Sequence, residues 1–472
     1  MSETNHHSSR GKELAKNTLI LSFGTILPRL SSFITLPIIT SVVSKVDLGT
    51  YDYMVTLVSL LIPVITLQIH LAAFRFLIDV RGDALETSRI ITNIFIFVIP
   101  TATLSAVVYF IFLYKYSLLY RVLLSTYLFT QLQFTVSQQI MRGLSKNTLF
   151  SISAIINSLL NTISIVLFVY FRRYGLVGLL VSVVAANFTS SLYLLIRGNI
   201  FNYFDFSHVS FSTIIEMLQY SWPIVPNSLS NWVLQISDRL VLTAFWGVEA
   251  VAVYGIANKI PSLLNLVQST FSFAWQENAS LSVKDDNQEI YYSHMFDTIF
   301  SILSGGFAAI LAVAPILFAF LIRGDYGDAL IHIPILLMAL LFSALASFMS
   351  GIYVAHKKTK SIGITTVCAA AINLVIDLSF VAHIGIFAAS ISTLVSYIFL
   401  TVFRIVDSHK FQIMHYQYLK IGVVLLILVT MCVFYSINSY ASLFINIVIA
   451  IALNLKLNFY IILSGIQMIS RK

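Results

Sequence analysis

Four cations fall inside long apolar runs, Arg29, Arg239, Lys259 and Lys456, where only Asp238 and Asp377 are acids of comparable depth. A charge at the centre of a bilayer costs about 2.5 kcal/mol or more on insertion scales, so such side chains turn toward a protein interior or a wet cavity. Polar residues surround them at helical spacing. Asn227, Asn231, Gln235 and Arg239 follow at i, i+4, i+8 and i+12, a stripe that rises about 18 Å along one helix. Shorter stripes run through Ser22, Thr25, Arg29 and Ser32; through Ser153, Asn157 and Asn161; through Asn258, Ser262, Asn265 and Ser269, with Lys259 beside them; and through Asn373 and Asp377, while Gln131, Gln138 and Gln139 sit in a further segment. Amides and hydroxyls suit the hydroxyls of a sugar, and guanidinium or ammonium groups suit phosphate.

Each of these residues also has a plainer reading. A single Asn or Ser in a membrane helix commonly bonds a neighbouring helix, whereas stripes on several helices read as the lining of a hydrated cavity. Arg29 and Lys259 read first as cavity cations, with a structural ion pair or carbonyl partner as the alternative. Arg239 divides evenly between the two, because Asp238 is adjacent. Lys456, flanked by Asn454 and Asn458, reads as a snorkelling or bracing residue. Asp377 is a coupling candidate: a deep carboxylate that could load and release a proton, against the alternative of a hydrogen bond to a neighbouring helix.

The elements that position these residues follow from composition. Of 472 residues, 58% are apolar and only 10% charged, and mean hydropathy is +0.89, which excludes an ordinary soluble globule. Apolar runs near the length needed to cross about 30 Å of hydrocarbon number fourteen, at approximately 18–43, 52–74, 90–113, 122–141, 148–170, 176–196, 218–246, 250–275, 294–322, 330–354, 361–381, 385–403, 421–437 and 441–465. The fold expected is an all-α polytopic membrane protein. With the N-terminus inside, eighteen cations fall on the cytoplasmic side, Arg404 among them, and six outside, so both termini are expected in the cytoplasm. The hydrophilic stretch 1–16 is a cytoplasmic tail, followed by an uncleaved first span.

Asp47 precedes Gly49-Thr50-Tyr51 as Glu249 precedes Ala252-Val253-Tyr254, and Asn157 and Asn161 are echoed by Asn373 and Asp377. The order of these echoes favours a parallel repeat of six helices plus six. The expected division is a first lobe at 17–196, an interfacial linker at 197–217, a second lobe at 218–405 and two further helices within 406–472. All nine prolines lie in or beside predicted spans, with Pro28 and Pro37 in the first and Pro223 and Pro226 in the seventh, where they bend helices. Cys368 and Cys432 are far apart in apolar runs, which excludes a disulfide framework or cysteine metal cluster. Phosphate-loop, zinc-protease and serine-hydrolase signatures are missing; no enzyme activity, cofactor, metal or nucleic-acid partner is expected.

The segments Asp47-Leu48-Gly49-Thr50-Tyr51, Trp222-Pro223-Ile224-Val225-Pro226-Asn227, Ser237-Asp238-Arg239, Tyr254-Gly255-Ile256-Ala257-Asn258-Lys259-Ile260 and Phe273-Ala274-Trp275 resemble the polysaccharide-transport family. These are the Wzx-type flippases of the MATE-like superfamily of multidrug, oligosaccharidyl-lipid and polysaccharide exporters. Ala252 stands where the family usually has Gly. The resemblance implies a bacterial inner-membrane protein that moves an undecaprenyl-diphosphate-linked oligosaccharide (O-antigen, capsule or exopolysaccharide unit) to the outer leaflet by alternating access of two six-helix lobes. It also implies membrane lipids, a polysaccharide polymerase and chain-length proteins as partners. By similarity to lipid II flippases, Arg29 is the leading diphosphate ligand, with Lys259 and Arg239 next; Asn227, Asn231, Gln235, Asn157, Asn161, Asn258, Asn265 and Gln131 then face the cavity and the glycan. Rival readings are a lipid II flippase, a cation-coupled exporter, which would want a carboxylate in the first span, and a membrane glycosyltransferase or polymerase, which would want acidic metal ligands or a large outer loop.

The topology is checked by cysteine labelling. With Cys368 and Cys432 replaced by serine, Lys358→Cys is expected to resist an impermeant thiol reagent added to intact cells and Asp325→Cys to react; the opposite pattern at either position refutes the fourteen-span arrangement.

Overall fold

A computed structural model describes residues 24–284 and 287–470. The expected tail at 1–16 and Ser22 lie outside the described residues, as does the side chain of Ser269. Hydrocarbon offers the backbone no partners, so a spanning chain must close its hydrogen bonds within each segment, and the described residues form helices without a strand. They divide into two compact units that meet in sequence between Leu229 and Ser230.

The first unit contains α1 (Gly24–Val42), α2 (Lys45–Thr66), α3 (Ile69–Asp79), α4 (Ala84–Phe112), α5 (Leu118–Gly143), α6 (Asn147–Ser164), α7 (Gly175–Arg197) and α8 (Phe211–Ser221). A π-helical stretch, Ile165–Phe171, continues α6. Side chains of the chain itself set the boundaries. Ser44 accepts from the backbone N–H of Asp47 at the start of α2, and Asp83 accepts from those of Leu85 and Glu86 at the start of α4, each satisfying donors that a helix leaves open at its first turn. Gly24 lets α1 approach α6 closely, since a β-carbon there would lie 2.6 Å from Ser151 Oγ.

Helix α9 (Val225–Ile236) carries the boundary. The second unit continues with α10 (Asp238–Trp246), α11 (Val248–Ala257), α12 (Leu264–Leu281), α13 (Gln288–Leu321), α14 (Ile333–Ala355), α15 (Thr359–Ile384), α16 (Ile386–Ser408), α17 (Tyr418–Ile437) and α18 (Tyr440–Ser470). Trp275 on α12 is buried, stacks on Phe348 at 4.3 Å and donates to the Phe348 carbonyl at 2.9 Å. Gly351, one turn along α14, leaves room for that ring. Helix α18 lies along α13 through Asn454 and Asn458, which donate to the carbonyls of Gly305 and Ser301 at 3.1 Å each, with Lys456 exposed between them.

Eleven helices among the described residues are long and apolar enough to cross a membrane, and the other three expected spans differ for identifiable reasons. Helix α5 is 26 residues long, but Arg121, Arg142 and four glutamines lower its hydropathy. The expected span at 218–246 is interrupted: α8 gives way to a 3-10 turn at Trp222–Ile224, and α9 ends before Ser237. The expected span at 250–275 breaks after α11, because Pro261 has no N–H to continue the ladder. The second expected span, 52–74, also ends early. Leu67 and Gln68 adopt left-handed φ values of 44° and 60°, Thr66 Oγ1 accepts from the Gln68 N–H at 3.2 Å, and the chain restarts as α3. Apolar side chains such as Leu104, Val108, Ile111 and Phe112 on α4 remain exposed, as expected of a surface whose solvent is lipid.

Candidate functional site

In the second unit the polar residues of four helices converge. Ser237 interrupts the helix and its hydroxyl bonds the Val233 carbonyl at 2.7 Å, which places Asp238 in the first turn of α10, where the helix dipole favours an anion. Asp238 is 1% exposed. Its Oδ2 accepts from Tyr254 Oη of α11 at 2.5 Å and from Thr393 Oγ1 of α16 at 2.8 Å. Asn373 of α15 accepts from Ser237 Oγ and donates to Ser392 Oγ of α16, both at 3.4 Å.

Asp377, one turn beyond Asn373, is fully buried, and neither of its oxygens accepts a hydrogen bond. Asp238 is the charge it feels. The alternative reading of Asp377, a hydrogen bond to a neighbouring helix, is not formed, and α10 and α15 each contribute a buried acid. Asp238 accepts from two hydroxyls, and Arg239, next to it on α10, is half-buried and acts on it electrostatically. The carboxylate, amide and hydroxyl oxygens gathered here are of the hard type that suits a proton or a small cation.

The expected long stripes are shorter than their spacing indicates. Asn227 is half-buried and Asn231 and Gln235 are exposed on α9, but Arg239 belongs to the next helix. Asn258 does not continue into a stripe with Asn265: its Nδ2 donates back to the Tyr254 carbonyl at 2.9 Å, closing the end of α11. Lys259 is half-buried in the turn that Pro261 enforces, where Ser262 Oγ donates to the Lys259 carbonyl at 2.5 Å, and Asn265 is half-buried on α12.

In the first unit, Arg29 is exposed on α1, with Leu27, Leu30 and Ile34 exposed around it. Asn157 Nδ2 donates to Asn187 Oδ1 at 2.9 Å, and Asn187 Nδ2 donates to Gln131 Oε1 at 2.7 Å, so a ladder of amides joins α6, α7 and α5. These groups of Asn157 and Gln131 serve the interhelical alternative. Asn161 is half-buried and its Oδ1 accepts no hydrogen bond. In the second unit, too, an asparagine joins consecutive helices, Asn373 of α15 to Ser392 of α16.

Sequence reasoning passed over three residues. Asn187 shares a short polar face with Ser190 and Ser191 at i+3 and i+4, in a segment that sequence reading did not single out. Thr393 is an ordinary helix hydroxyl until Asp238 meets it. Arg404, assigned above to the cytoplasmic side, lies in α16 only 4% exposed. Its guanidinium donates to Thr365 and Thr366 of α15 at 3.1 and 3.0 Å, and to Ala346 O and Ser350 Oγ of α14 at 2.8 and 2.6 Å.

A family described as polysaccharide biosynthesis protein matches residues 14–275, more than half of the chain. Among solved structures, a lipid II flippase, MurJ, in an inward closed conformation has a TM-score of 0.70 at 15% identity, over 95% of this chain and 100% of that one. An inward-facing multidrug resistance MATE family transporter of the MOP superfamily has a TM-score of 0.68 at 16% identity, over 83% and 98%. A MOP superfamily transporter from Pyrococcus furiosus has a TM-score of 0.56 at 16% identity, over 84% and 96%. At these identities the likeness is one of fold. No curated protein sequence matches the chain.

The amide ladder generates a direct test. Asn187→Leu removes the partner of both Asn157 and Gln131, and is expected to cost about 1 kcal/mol, read as a lower unfolding midpoint in detergent. Asn161→Leu, which removes an oxygen that bonds nothing, is expected to cost less; equal losses would remove the ladder's energetic role.

Proposed function

The chain belongs to the polysaccharide biosynthesis protein family, and we propose on that premise that it is a flippase for polyprenyl-diphosphate-linked oligosaccharide units. It would work in the bacterial cytoplasmic membrane, with both termini inside, and carry its cargo from the inner to the outer leaflet by alternating access. The observation that carries the reading is Arg29: a guanidinium exposed on a membrane helix that also bears Thr25 and Ser32, in a chain of this family. A planar cation suits bidentate bonding of a diphosphate. Arg29 is the leading ligand for that group, with Lys259 and Arg239 next. The exposed amides Asn231 and Gln235 are offered to the glycan.

The lipid II flippase that shares the fold supports a lipid-linked cargo of this general class. The multidrug transporters that share it support the second reading, an ion-coupled exporter. That reading draws on the buried pair Asp238 and Asp377, but α1 contains no acid among its described residues and offers Arg29 instead. The acidic pair fits equally well as the coupling site of a flippase, loading a proton or a small cation in one conformation and releasing it in the other.

Two outcomes are expected. Arg29→Ala and Lys259→Ala should each lower glycan assembly outside the membrane by about tenfold or more, the scale of a lost charge-assisted hydrogen bond, at matched membrane expression, with the lipid-linked unit accumulating inside. Lys259→Arg should be tolerated better than Arg29→Lys, because lysine cannot reproduce a bidentate fork. Normal assembly by the double alanine variant refutes the cationic site. Separately, Asp377→Asn should abolish the dependence of transport on a proton or sodium gradient; full transport with the wild-type dependence refutes the coupling role.

A further inference from the structure

Seven residues other than glycine have left-handed φ values among the described residues. Five of them, Ser145, Arg173, Asn199, Lys357 and Asn438, stand singly at or just past the end of a helical segment, where one such residue closes the last turn. Leu67 and Gln68 differ. They are consecutive, at φ 44°, ψ 31° and φ 60°, ψ 20°, and nothing else separates α2, which ends at Thr66, from α3, which begins at Ile69. A residue with a β-carbon clashes with its own backbone in this conformation, and chains that need it commonly use glycine or asparagine. Here no glycine occurs between Gly49 and Gly82, and the run Ile65-Thr66-Leu67-Gln68-Ile69-His70 contains no helix breaker. Pro63 does not account for the break, because the bond it forfeits is the one to Ser59, four residues earlier. The local sequence favours one helix and the fold holds two, a conflict of the kind that marks a strained site.

The two sides of the break are held unequally. Helix α3 is clamped: Ile69, Ala72, Ala73 and Leu77 are wholly buried in a core shared with α4, α5 and α8, and Phe76 meets Tyr220 of α8 edge-on at 5.9 Å. Helix α2 belongs to a different core, which it enters through Met54 and Val58. Only seven of its 22 residues are buried, against five of the 11 in α3. One hydroxyl stitches the break. Thr66 Oγ1 donates to the Ile62 carbonyl at 2.8 Å and accepts from the Gln68 N–H at 3.2 Å, with His70 Nδ1 3.4 Å away. In a continuous helix the Gln68 N–H would bond the Val64 carbonyl instead, so that stitch would not be needed.

We propose that Leu67 and Gln68 form a strained two-state hinge, in which the broken form described here exchanges with one where α2 and α3 run as a single helix. Helix α3 keeps its core and α2, the lightly held arm, swings. In the broken form both cores are filled at the expense of two left-handed residues. In the continuous form the backbone relaxes and Gln68 regains a regular partner, while Met54 and Val58 repack. Each form holds something the other lacks, which is what makes an element bistable. Helix α1 is joined to α2 by Val43 and Ser44 alone, so it follows α2 and carries Arg29 with it. The hinge is a property of the first unit by itself and does not depend on the cargo proposed above.

The test is a distance measured by pulsed electron spin resonance in the full chain, in nanodiscs and without cargo. Spin labels are placed at Val46→Cys and Asp79→Cys, with Cys368 and Cys432 replaced by serine. The two positions are 33 residues apart, which a continuous helix sets at about 50 Å, slightly less for the bend at Pro63, and the break brings them closer. Two populations are expected with Leu67 and Gln68 in place. Leu67→Gly with Gln68→Gly relieves the left-handed residues and weakens a continuous helix, and should deplete the long population more than tenfold. Leu67→Ala with Gln68→Ala removes the same side chains but keeps the strain and favours a helix, so the long population should persist. Leu67→Gly alone, at a position 37% exposed, should act in the same direction as the glycine pair and serves if the pair does not fold. A single short distance in both the parent and the alanine pair reduces the break to a fixed kink and refutes the hinge, as does a long population that glycine leaves undiminished.

Discussion

Hydrocarbon cannot hydrogen-bond, and every other feature of this protein answers to that fact. A backbone group without a partner in lipid costs several kcal/mol, so the described residues form helices joined by short turns and loops, with no strand among them. Side chains obey the same rule. Asn454 and Asn458 spend their amides on α13 carbonyls, Asn187 bridges Asn157 and Gln131, and hydroxyls along α16 fold back onto carbonyls one turn earlier. Polar residues so employed hold helices together.

The same rule makes the exceptions conspicuous. Asp377 lies buried with two oxygens that accept nothing, beside a second carboxylate. Ser191 and Gln133 keep buried donors with no hydrogen-bond partner. These are among the places in the described residues where the protein's own side chains leave a buried polar atom unmet, at the cost that hydrocarbon sets.

Arg404 shows how a buried charge becomes a scaffold instead. Its bonds run to three hydroxyls and a carbonyl on two neighbouring helices, so α14, α15 and α16 share one rigid connection. Those helices include the two that bring Asn373, Asp377 and Thr393 to Asp238. Removing the guanidinium would leave several of those oxygens short of a donor, a larger disturbance than the loss of any single bond.

Composition and hydropathy alone determined that this is an all-helical membrane chain, because 20-residue apolar runs have no other stable arrangement in lipid. The same sequence marked Asp377, Asn373 and Asp238 as unusual, because charge and amide residues stand out in apolar runs. Tertiary structure decided the rest. Whether Asn157 lines a cavity or bonds Asn187 depends on a helix 30 residues away, and whether Asp377 is solitary depends on Asp238, which lies 139 positions earlier. The breaks at Gln68, Ser237 and Pro261 reassigned residues that periodicity had placed on one face, since the regular 3.6-residue turn holds only while the hydrogen-bond ladder is unbroken. Spacing along a chain specifies which side chains share a face; what that face meets is set by the packing of distant segments, and in lipid that meeting decides whether a polar group is glue or a site.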